Sequence, residues 1–156
     1  MSKFKKYILP AILSIIITCA AGAAAEKIRL PEIKGWENGE LRTTEMAALS
    51  GFKGTWQERT YRTNSGTPFK AIWVDGAGAK GWDVNEMSDD HGEIWGGETS
   101  EKLTVAGHKA MLEYRPVIGY SLIINVAKDG VLTLESQVST QKHLIEAAET
   151  LIENMK

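Results

Sequence analysis

The sequence predicts an α+β fold: one domain on a mostly antiparallel β-sheet of about five to seven strands, with a C-terminal amphipathic helix packed on one face. Three observations predict it. Apolar residues alternate with period two through 108–114, 120–127 and 131–138. Lys128-Asp129-Gly130 separates the last two runs with turn residues. Leu144, Ala147, Ala148, Leu151, Ile152 and Met155 then recur at helical spacing.

In the first of these strands, His108 to Tyr114 follows Gly107. In the second, Tyr120, Leu122, Ile124 and Val126 share one face, and Ser121, Ile123 and Asn125 the other. Leu132 and Leu134 alternate with Val131, Thr133 and Glu135 in the third. One face is apolar and the other mixed, the pattern of a sheet covered on one side. Asp129-Gly130 is read as a type I′ turn, which needs positive φ at both central residues. Ser139 or Thr140 is positioned to cap the helix, because a hydroxyl there accepts from an unpaired first-turn N–H.

From the start of the chain, Lys3, Lys5 and Lys6 precede an apolar run from Ile8 to Cys19 and then Ala23-Ala24-Ala25. That order is a secretion signal, with cleavage expected after Ala25 and a single domain over 26–156. The run is short against the roughly 20 residues of a membrane span, so no span is expected after cleavage. Ile16-Ile17-Thr18-Cys19 resembles a lipoprotein-processing site, although Thr18 stands where a smaller residue is usual; lipidation at Cys19 is the secondary reading. Removing the segment leaves 15 basic and 20 acidic side chains, net −5, and no cysteine. An acidic chain without a basic cluster is a poor partner for nucleic acid. The absence of cysteine excludes thiol chemistry and thiolate zinc sites from the processed domain.

The next stretch reads less regularly. Leu30-Pro31 and residues 34–39 look like an irregular lead-in with a turn at Asn38-Gly39, and Leu41 to Gly51 fits a short helix or a strand. Trp56 to Arg62, the turn 63–68 and Phe69 to Val74 form a hairpin. The polar run Gln57, Glu58, Arg59, Thr60 and Arg62 marks its first strand as an edge or solvent-facing one. Gly76 to Gly81 lacks the order of a phosphate loop and is read as a flexible connector. An acid-rich loop from Asp83 to Gly97 carries the chain across to the next part of the sheet.

Val105 to Ala110, the two strands around Asp129-Gly130, Ser139 and the closing Ala147-Ala148-Glu149 helix resemble PsbP-like exported α/β domains and small bacterial exported proteins of unknown function. The resemblance covers about the last third of the chain, and its elements are those of an α+β layer fold. It implies an accessory or assembly role rather than an enzymatic one, in a periplasmic or secreted protein. It carries no functional residue onto this chain.

The candidate sites are few. Asp89, Asp90, His91 and Glu93 in the acidic loop offer the ligand types of a divalent metal site, but their spacing matches no calcium loop and a solvated loop is the plainer reading. Trp82 and Trp95 bracket that loop and, with His108, form a candidate ligand-binding set, while the remaining tryptophans are assigned to the core. The three histidines are scattered, and no nucleophile is identified beside one, so no catalytic residue is assigned. The expectation is a non-enzymatic exported protein that binds a partner protein or a small ligand. The alternatives are a metal-binding module on the acidic loop and a hydrolase built on His108 or His91.

Overall fold

The computed structural model describes residues 27–47, 53–88 and 97–155. The proposed export segment 1–25 lies outside them. The strands are β1 (Glu37–Asn38), β2 (Arg42–Ala47), β3 (Lys53–Arg62), β4 (Pro68–Gly76), β5 (Thr99–Val105), β6 (His108–Arg115), β7 (Gly119–Ala127) and β8 (Gly130–Ser136), followed by α1 (Gln141–Asn154). All eight join one antiparallel sheet in the order β1-β3-β4-β8-β7-β6-β5, with β2 also on β3. The result is a single α+β domain, with slightly more strands than the alternation predicts, because β1, β2 and β5 carry weak patterns.

The helix face holds the larger core. Phe69, Ala71 and Trp73 of β4, Leu132 and Leu134 of β8, Leu122 and Ile124 of β7, and Ala110 and Leu112 of β6 are all buried there. Leu144, Ala147, Ala148 and Leu151 of α1 pack onto them. The two alanines bring the helix backbone close to the sheet. Thr140 is the cap, its hydroxyl accepting from the His143 N–H at 3.3 Å.

The second face is also covered, contrary to the one-sided pattern. The connection from β4 to β5 must cross β8, β7 and β6, and its described part, 77–88, lies against this face. It begins as a 3₁₀ helix over Ala77–Trp82, where a flexible connector was expected. Ala79 and Val84 from this strap are buried with Met111, Ile123 and Val131 of the strands beneath.

Strand β3 corrects the edge reading of its polar run. It lies inside the sheet, with β4 on one side and β1 and β2 on the other. Thr55, Gln57, Arg59 and Tyr61 are buried, because the segment 27–33 runs over them. Gln57 accepts from the Leu30 N–H at 3.0 Å and donates to the Ile28 carbonyl at 2.9 Å. The Tyr61 hydroxyl donates to the Pro31 carbonyl at 2.7 Å. Polar side chains here replace the strand pairing that the segment lacks.

The turns also differ from expectation. The paired positive φ values of a type I′ turn occur at Ala106 (48°) and Gly107 (81°), joining β5 to β6. Neither Asp129 nor Gly130 has positive φ. Gly130 is glycine for another reason: a Cβ there would run into the indole ring of Trp73. The lead-in turns at Lys34-Gly35, and Asn38 uses its side chain instead to hold Ile33, accepting from its N–H at 2.8 Å. Residues 42–47 are a strand, which decides the even choice over 41–51; 48–52 lie outside the described residues.

Candidate functional site

A concavity of about 610 Å³ lies at the end of the sheet where β3 and β8 finish and β4 begins, beside β1. It falls within the range of about 300–1,000 Å³ typical of ligand pockets. Register explains its walls. Glu37 stands opposite Arg62, and Thr60 and Glu135 both stand opposite Lys70, so the lining residues Glu37, Arg62, Thr60 and Glu135 share the face away from the helix, while Tyr61 and Phe69 enter the lining from the helix face. Their charges are paired, Arg62 Nε to Glu37 Oε2 at 3.2 Å and Lys70 Nζ to Glu135 Oε2 at 2.9 Å.

Beyond the β4–β8 ladder, the Ser136 hydroxyl donates to the Pro68 carbonyl at 2.7 Å and accepts from the Ser139 N–H at 3.1 Å. These bonds set the path of Gln137 and Val138, which form the groove's lip. Val138 is 71% exposed there. The β6–β7 turn sits at the same end, because Gly119 packs directly on Ser136 and Gln137, leaving no room for a Cβ. That turn exposes Val117 (92%) and Ile118 (49%). The groove is thus of mixed character, with Tyr61, Pro68, Phe69 and Val138 beside Glu37, Arg62 and Glu135, and the exposed Val117 and Ile118 stand on the neighbouring turn.

The sequence-derived candidates are not gathered at this groove. Trp82 ends the 3₁₀ helix and is 42% exposed. His108 alternates with Lys109 and so lies on the helix side of the sheet, at the β5–β6 turn and away from the strap. Trp95, Asp89, Asp90, His91 and Glu93 lie outside the described residues. Among the described residues, no group of three or more His, Cys, Asp or Glu is arranged to hold a metal.

Asp83, the first acid of that loop, is structural. Its Oδ1 accepts from the Asn85 N–H (2.9 Å), the Asn85 amide (2.7 Å) and the Asn125 amide (2.7 Å). These bonds, led by the Asn85 backbone N–H and assisted by the Lys109 charge, hold its carboxyl below the ordinary aspartate range. Burial pushes the Tyr61 phenol upward, against the opposing pull of the Arg59 guanidinium. Arg59 is itself buried, with Nη1 3.6 Å from Glu32 Oε1.

The groove residues Glu37, Arg62, Gln137 and Val138 escape sequence reading because they come from segments roughly 25 to 100 positions apart, brought together by strand pairing. Val138 carries the one local signal, an apolar residue between the last strand and the helix cap. No family model, curated protein or solved structure matches this chain. No helix of the described residues is long and apolar enough to cross a membrane.

Proposed function

We propose that this protein is exported and acts by binding a partner protein, without catalysing a reaction, through the groove at the open end of the sheet. The observation that carries the reading is the exposed Val138 at the groove's lip, with Val117 and Ile118 exposed on the β6–β7 turn that packs beside it through Gly119. Single exposed apolar residues are ordinary on a protein surface, whereas grouped ones beside a concavity mark interaction sites. The lining supports a polypeptide partner, since it sets Tyr61, Phe69 and Val138 beside Glu37, Arg62 and Glu135, a mixed surface that a chain meets with apolar and polar groups of its own. Export is supported by the basic, apolar and small-residue order of 1–25.

The test is photocrosslinking in cells from Val138 and Ile118, with a probe at Thr104 on β5 as the control. The reading expects one shared product from the first two sites and none from Thr104. Absence of any product from Val138 rejects it. Mass spectrometry of the purified protein tests the export step, which requires a chain beginning at Glu26.

A further inference from the structure

The strap over 77–88 is fixed to the sheet differently from every other element. Its backbone pairs with no strand; its own amide bonds are local, Glu86 N–H to the Asp83 carbonyl at 3.0 Å and Met87 N–H to the Val84 carbonyl at 3.3 Å. It buries small side chains, Ala79 and Val84, with Met87 partly covered. At its start Gly78 lies against the Met46 and Val74 side chains, and further along a polar catch joins it to the strands. The Val84 N–H donates to Asn125 Oδ1 at 3.3 Å, while the Asn125 amide donates to Asp83 at 2.7 Å. Lys109 Nζ donates to Asn85 Oδ1 at 2.8 Å.

We propose that residues 77–88 form a cover that opens as a unit while the sheet and helix stay folded, with Asn125 as its catch. The proposal is independent of the groove described above. Few buried apolar contacts and no ladder bonds place the strap at the low end of local opening free energies. Breaking the catch frees one backbone N–H and one carboxylate at the solvent boundary, where water replaces Asn125 as their partner. Opening uncovers Val131, Ile123 and Met111, an apolar shelf across β8, β7 and β6 that the closed strap hides from solvent.

Neighbouring residues on β8 supply the test. Val131 faces the strap and Leu132 the helix, and both are buried. In the full chain carrying Cys19→Ser, thiol labelling is measured at Val131→Cys and, separately, at Leu132→Cys. The cover opens without global unfolding if Val131→Cys labels at least about a hundredfold faster and with the shallower urea dependence. Leu151→Ala must then speed labelling at Leu132→Cys but not at Val131→Cys, because the helix is intact in the open state. Asn125→Ala must speed Val131→Cys about tenfold. Equal acceleration of both sites by Leu151→Ala, or equal urea slopes, overturns the proposal, as does an unchanged Val131→Cys rate in Asn125→Ala. If Asn125→Ala or Leu151→Ala does not fold, the urea comparison in the chain retaining both residues still decides.

Discussion

The two faces of the sheet are covered by different physics. On one, α1 lays Leu144, Ala147, Ala148 and Leu151 onto a continuous apolar cluster to which six strands, β3 to β8, contribute. On the other, the strap brings two small buried side chains and depends on Asn125, Asp83, Asn85 and Lys109 for attachment. Burial stabilises in proportion to apolar area, while a hydrogen bond exchanged with water contributes little net. The helix face therefore sets the stability of the domain, and the strap face is where it moves at least cost.

The largest effect that separates the faces comes from Leu151→Ala, which leaves a cavity under the helix and costs about 2–5 kcal/mol in chemical denaturation. A loss below about 0.5 kcal/mol means that the helix does not carry the core as described. Gln57→Leu tests the polar part of the same face. It strands the Leu30 N–H and the Ile28 carbonyl under the 27–33 segment, with an expected cost of about 1–3 kcal/mol. Amide exchange at Leu30 rises with it.

Val84→Ala removes two methyl groups from the strap's contact and costs about 1–2 kcal/mol, less than the helix truncation. If it matches Leu151→Ala, the contrast between the faces fails. The Asp83 carboxyl sharpens the contrast through pH. Its folded pKa is lowered, so its contribution to holding the strap is complete above the unfolded value near 3.8 and is lost as pH falls through the lower folded value. The Asn85 and Asn125 side-chain amide signals should therefore move together in NMR, with a midpoint below 3.8, while Leu132 stays still. Asp83→Asn should abolish that transition.

The smallest effect is a gain. Ala106 holds φ at 48° in the β5–β6 turn, a conformation that asparagine or glycine adopts more easily. Ala106→Asn should raise stability by about 0.5–1 kcal/mol without touching either cover. A loss would show that the turn is not type I′ in solution.

Much of the fold is legible because its signals are local. Alternation through 120–124 and 131–135, the spacing of Leu144, Ala147, Ala148 and Leu151, and a hydroxyl at Thr140 are each read within a few residues of chain. The backbone periods that produce them act before any long-range contact forms. The turn at 128–130 is correctly located but misread in kind, because Gly130 answers to the Trp73 ring from another strand rather than to its own φ.

What only the tertiary structure decided depends on neighbours distant in sequence. Gln57 and Arg59 look solvent-facing by composition, yet they are buried with Tyr61 under the 27–33 segment, whose backbone takes hydrogen-bond partners from Gln57 and Tyr61. Asp83 looks like part of an acidic surface loop, yet its partner Asn125 lies 42 residues away on β7. The groove exists only where strand register sets Glu37 beside Arg62 and brings Gln137 and Val138 to its lip. The sequence by itself determined the β3–β4 hairpin, the C-terminal strands, the helix and one face of the core, through side-chain periodicity. Tertiary pairing decided which polar groups are buried and where a concave surface forms, because burial and concavity belong to juxtaposed segments and not to any one of them.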